Sequence, residues 1–152
     1  MEPHMFDNER FISRATAALA ALECGPKPED LAQAPLAELW IALVKDGTDL
    51  PVLWGYVTGH PLLGDRFIRT SPLIGLSREA GWARTFSRWY RLGEPFPIWK
   101  AQLATRLEDP IKEIGLLRWG STGYGAIVDT AFLEAKMANV IALLKNPDAA
   151  GS

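Results

Sequence analysis

The stretch Leu53–Leu92, LWGYVTGHPLLGDRFIRTSPLIGLSREAGWARTFSRWYRL, most limits what this chain can become. Leu53 to Thr58 alternates in character, Phe67 to Leu76 is rich in β-branched and aromatic residues, and Trp82 to Leu92 alternates again. Successive side chains of a strand point to opposite faces, so these three runs predict three strands. Gly59-His60-Pro61 and Leu63-Gly64-Asp65 supply turn residues between the first two, and Ser77-Arg78-Glu79-Ala80-Gly81 between the second and third. The simplest product is an antiparallel meander. Pro72 has no N–H for a ladder, so it belongs at an edge or bulge where the second strand bends. Such a bend curls a short meander toward a small barrel.

Read as one strand, the third run places Trp82, Arg84, Phe86, Arg88 and Tyr90 on a single face. That ladder is the candidate binding surface, joined by Arg69 of the second run and His60 of the first turn. Exposed, it could stack bases on its rings and hold phosphates with its guanidinium groups, at ~1–3 kcal/mol per stacked base. It could equally anchor a protein partner, since tryptophan and arginine are favoured interface anchors. The structural alternative turns the rings into the core, with arginines stacking over them or reaching out to water.

The same residues carry a resemblance. Thr58-Gly59-His60-Pro61, Arg69-Thr70-Ser71-Pro72-Leu73, Gly81-Trp82-Ala83-Arg84-Thr85 and Ser87-Arg88-Trp89-Tyr90-Arg91-Leu92-Gly93 occur in that order over the middle third of the chain. In them the chain resembles a family of small uncharacterised bacterial proteins. The resemblance implies no activity, substrate or cofactor.

At 152 residues the chain fits one domain with a substantial core, and 48% hydrophobic with 22% charged residues is ordinary for a globular protein. Runs such as Ala17–Leu22 and Leu39–Val44 are too short to span a bilayer. The acidic N-terminus, with Glu2, Asp7 and Glu9, lacks the basic start of a signal peptide, so the expected setting is cytoplasmic and without a membrane. The lone Cys24, among alanines and leucines, reads as a packed thiol rather than a disulfide or metal ligand. Charge is uneven: residues 1–50 balance at −5, residues 51–100 at +4 and the rest at −1. Six of the seven basic residues in the central section are arginine, which favours planar, bidentate and ring-stacking recognition. A sequence pI near 5.7 still argues against a general nucleic-acid binder.

The flanks read as helical over 1–47 and 97–145, with a loose tail over 146–152. Asp7 can cap a helix that buries Phe11, Ala15, Ala18, Leu19 and Leu22 and stops at Gly25-Pro26. Pro35 fits the first position of a second helix containing Leu36, Leu39, Trp40 and Leu43. Pro97 can start a helix to Glu108, and Pro110 can restart a turn through Leu117. A last helix over 126–145 aligns Leu133, Met137, Val140 and Leu144.

No enzyme class is signalled. Gly120–Gly125 lacks the Lys-Ser/Thr ending of a phosphate loop and reads as a turn before the last helix. His60, held extended by Pro61, could serve as an acid or base with Asp65 and with Ser71 or Ser87 nearby, yet no nucleophile elbow supports a triad. Turn capping is the simpler role for it. No catalytic residue, metal ligand or cofactor is assigned.

The expected fold is α+β, a small bent antiparallel sheet or SH3-like barrel over 52–92 between N- and C-terminal helices. The expected function is non-catalytic docking of an acidic protein partner through the arginine and aromatic hairpin. Nucleic-acid binding comes second and an enzyme built on His60 third, and the sequence sets no oligomeric state.

Overall fold

A computed structural model describes residues 4–45, 47–48, 50–97, 116–118, 123–127 and 129–145. Helices α1 (His4–Cys24) and α2 (Pro28–Ala32) precede strands β1 (Leu36–Lys45), β2 (Pro51–Thr58), β3 (Arg66–Ser77), β4 (Trp82–Thr85) and β5 (Trp89–Leu92). A short hairpin of β6 (Leu116–Arg118) and β7 (Tyr124–Ile127) follows, then helix α3 (Thr130–Lys145). The class is α+β, a small, strongly bent sheet with helices before and after it. Strand order is β2-β3-β4-β5-β1-β7-β6, and an added β1–β2 pairing closes a ring of five strands. The ring is mixed, because β5 meets β1 in parallel at Leu36↔Arg91 and Ala37↔Leu92.

Strand β1 replaces the helix expected from Pro35 to Leu43. Its apolar spacing suits one helical face, but it is equally a continuous apolar run, as a strand buried on both faces requires. Ala37, Trp40, Ala42 and Val44 join the barrel core, whereas Ile41 and Leu43 pack with Ala126 beneath Val52, Trp54, Phe96 and Tyr124. One edge of β1 pairs with β2 along most of its length. The other edge is shared by β5, a bridge from Trp40 to Pro95, and β7.

A bulge at Leu39–Trp40 sets the inward phase of β1. Glu38 pairs with Tyr56 but Ile41 with Trp54, so two residues of β1 oppose Gly55 alone. Leu39 takes a left-handed φ of 51°, and the inward set moves from Ala37 to Trp40, Ala42 and Val44. Trp40 then donates its indole N–H to the carbonyl of Gly93 at 3.0 Å.

The bend expected at Pro72 is present. Register shifts where Thr70 and Ser71 of β3 face Leu53, and Thr70 Oγ1 accepts the Leu53 N–H at 3.0 Å. A second shift between Leu73 and Gly75 turns Leu73 into the barrel and Ile74 outward onto α1 and α3. Gly75 matters here, because a Cβ at that position would run into the Leu22 side chain of α1. Leu133 and Met137 of α3 pack onto the barrel core, and Val140 of the same helix packs with Ala15 and Ala18 of α1. Full burial of side chains such as Leu43, Leu53, Leu73 and Val57 contributes about 1.5–3 kcal/mol each.

Other expectations need correction. Helix α1 is already formed at His4, so Asp7 lies within it rather than at its cap. Cys24 is exposed, because the last turn of α1 has passed beyond the core. Leu117 sits in β6, and Ala126 and Ile127 in β7, so the last helix starts only at Thr130. The sheet edge offered by β1 captures these short segments. The helix expected from Pro97, the turn from Pro110 up to residue 115 and the tail over 146–152 lie outside the described residues.

Candidate functional site

The segment Trp82–Leu92 folds as a hairpin, and this rearranges the expected ladder. Thr85 makes the turn: its Oγ1 accepts the N–H groups of Ser87 and Arg88, each at 3.2 Å, while its own N–H reaches the Arg88 carbonyl at 3.0 Å. The chain therefore reverses after Arg88, and β5 returns with Arg84 opposite Trp89 and Trp82 opposite Arg91. Cross-strand partners share a face. Trp82, Arg84, Trp89 and Arg91 are consequently together on the outside, although strict alternation separates the first two from the last two. Phe86 and Tyr90, expected in the ladder, are buried at 5% and 2% exposure in the core clusters.

Thr85 itself is fully buried. Thr85→Val keeps the shape but leaves two amides without a partner, which is expected to cost about 1–3 kcal/mol. Thr85→Ser retains the acceptor and should lose less. Urea denaturation of the two variants checks this difference.

On the outer face the rings and cations are stacked. Trp82 and Trp89 meet edge to face at 5.3 Å, and the Arg84 guanidinium lies over the Trp89 ring at 5.3 Å. Trp89 is buried beneath this arrangement, whereas Trp82 and Arg84 are half-buried. Arg84 Nε is buried without a hydrogen-bond partner. Desolvation lowers the Arg84 pKa, the Asp30 carboxylate of α2 works against that shift, and Arg88 adds to it. Arg91 is exposed but ties the hairpin to the preceding segment, its Nε donating to the Ala34 carbonyl at 3.0 Å.

The family of unknown function DUF6634 matches residues 5–152. The chain belongs to that family. Membership of an uncharacterised family is thus as expected, and the match takes in both flanks as well as the middle third. No curated protein and no solved structure matches the chain.

In this DUF6634 chain His60 is a turn cap. Its Nδ1 accepts the N–H groups of Leu62 and Leu63 at 3.0 and 3.2 Å. Burial lowers its pKa and the Arg88 charge lowers it further, both in the direction that favours the neutral ring able to accept these bonds. Asp65 accepts the Gly59 N–H, and Ser71 and Ser87 share a hydrogen bond at 3.0 Å. Among the described residues no cluster of three or more His, Cys, Asp or Glu side chains could hold a metal, and no helix is long and apolar enough to cross a membrane. The glycine-rich segment joins β6 to β7 rather than opening a helix, with residues 119–122 outside the described set.

Arg69 belongs to a second surface, on the outside of β2 and β3. It stands opposite Trp54, and its guanidinium lies 4.8 Å over the Tyr124 ring. Trp54 stacks on Phe67 at 4.8 Å and 19°, and Tyr56 meets Phe67 edge to face at 5.1 Å. Phe67 is 47% exposed. Alternation within β2 puts Trp54 and Tyr56 on one face. Their junction with Phe67 and Tyr124 depends on strand register, which that alternation leaves open.

Proposed function

We propose that this DUF6634 chain is a non-catalytic binding protein of the bacterial cytoplasm that docks an acidic protein surface on the outside of the β4–β5 hairpin. The observation that carries the reading is the stack of Trp82, Trp89 and Arg84, with Arg88 and Arg91 on the same hairpin and Asp30 as the carboxylate acting on Arg84. An aromatic pair with one guanidinium over it and two more arginines on the same hairpin suits carboxylates: the rings supply desolvated area and the arginines planar donors. Negative charge elsewhere on the chain, including the −5 balance of residues 1–50, disfavours a polyanion that would wrap the whole molecule.

A second reading, single-stranded nucleic acid, is favoured by the outer stripe of Trp54, Phe67 and Tyr56 beside Arg69. Stacked rings with an adjacent arginine are how single-strand binders hold bases and phosphates.

One experiment separates them. Fluorescence anisotropy is measured with a labelled Asp/Glu-rich peptide and with labelled single- and double-stranded DNA and RNA, at low and moderate salt. The hairpin reading expects peptide binding that weakens with salt and falls at least about tenfold in Arg84→Ala/Arg88→Ala, with little change in melting temperature. Peptide binding indifferent to those substitutions overturns it. Oligonucleotide binding that survives them and is lost in Phe67→Ala moves the function to the second surface.

A further inference from the structure

One edge of β1 is filled by two segments, the continuous run from β5 through Phe96 and strand β7. Pro95 bridges to Trp40, and the Phe96 N–H donates to the Trp40 carbonyl at 2.8 Å. The next partner along that edge is Ala126 of β7, opposite Leu43. Between them Ile41 and Ala42 line a cavity of about 260 Å³. Its walls are the Trp40 ring, Phe96, Pro97, Ile127 and Leu133, with Arg78 of the β3–β4 turn at the side. Two of its walls, Ile127 and Leu133, are only 5% and 4% exposed.

Among the described residues the lining side chains are apolar apart from Arg78. The Arg78 guanidinium lies 5.2 Å over the Trp40 ring, and Arg78 is exposed. Among the described residues no carboxylate forms an ion pair with it. An apolar pocket with one polar group placed at its edge is the usual form of a small-molecule site: the walls set the size of the ligand and the polar group orients it.

We propose that this recess binds a small organic anion, with an aromatic or branched aliphatic body against Trp40, Ile127 and Leu133 and a single carboxylate on Arg78. This inference does not depend on the docking reading. Charge complementarity decides the ligand class, because a neutral molecule of the same shape would leave the guanidinium without a carboxylate partner. Arginine suits this role better than lysine, since its planar group can stack on the Trp40 ring and offer two parallel N–H donors at once.

The test uses the full chain with 3-phenylpropanoate and its neutral amide, 3-phenylpropanamide, as probes, read by calorimetry and by the NMR shift of the Trp40 indole N–H. The carboxylate is expected to bind about tenfold or more tighter than the amide and to move the Trp40 signal. Arg78→Gln should bring the carboxylate down to the affinity of the amide, and Arg78→Lys should recover part of the difference. Arg78 is exposed, so an unchanged melting curve for both variants accompanies this result. Equal binding of the two probes, shifts confined to the β4–β5 hairpin, or no binding of the carboxylate at millimolar concentration overturns the proposal.

Discussion

Replacing Trp89 by alanine is expected to destabilise the chain by about 3–5 kcal/mol, the largest loss of any single truncation in the hairpin. Trp89 is only 8% exposed although it stands on the outer face of the barrel. Its ring meets Trp82 edge to face and carries the Arg84 guanidinium, so truncation leaves a void and removes the platform for both neighbours. In a chain of 152 residues a loss of this size lowers Tm by roughly 10 °C. Arg84→Ala removes one half-buried side chain from the top of the same stack and should cost about 1 kcal/mol or less. Thermal melts followed by circular dichroism compare the two. Similar losses would mean that Arg84, rather than the tryptophan beneath it, holds the hairpin together.

The second large effect is expected at Gly55. Valine is among the best strand formers, and on propensity alone Gly55→Val inside β2 should stabilise the protein. The tertiary arrangement reverses the sign. Gly55 faces the bulge in β1, and a Cβ there would stand 3.0 Å from the Glu38 carbonyl oxygen and 3.1 Å from Trp40 Cα. Both obstacles are backbone, so neither can rotate away. Gly55→Ala is expected to cost about 1–3 kcal/mol, and Gly55→Val, with two further methyl groups, about 3 kcal/mol or more. Denaturant titration reads the difference directly. A stabilised Gly55→Val would show that the bulge at Leu39–Trp40 is not held in solution, and the inward placement of Trp40 would go with it.

The candidate surfaces show how local pattern and tertiary contact divide the work. Alternation in Leu53–Thr58 marked a strand, and turn residues around Gly59 and Gly81 marked where the meander reverses. Pro72 announced the bend in β3, since a residue without an N–H has few places in a ladder. The α+β class and the small curled sheet follow from these local signals.

Position 85 marks where such signals run out. A threonine suits a strand as well as it suits a side-chain-capped turn, and nothing nearby distinguishes the two. Only when β4 pairs with β3 and the Phe86 N–H meets the Pro72 carbonyl does the turn become the lower-energy choice. That choice moves Trp89 and Arg91 beside Arg84, and sends Phe86 and Tyr90 inward.

Strand β1 makes the same point on a larger scale. Leu36, Leu39, Trp40 and Leu43 carry helical spacing, while their neighbours Ala37, Ile41, Ala42 and Val44 are apolar as well, so the run is compatible with either structure. Local composition settles that most of these residues are buried, Leu39 in the bulge being 40% exposed. Whether they are buried as a helix or as a strand depends on partners far along the chain, namely β2, β5 and β7, which pair along its two edges. Hydrogen bonding of an extended segment is non-local by nature, and this is why the strand that closes the barrel could be recognised only from the folded arrangement.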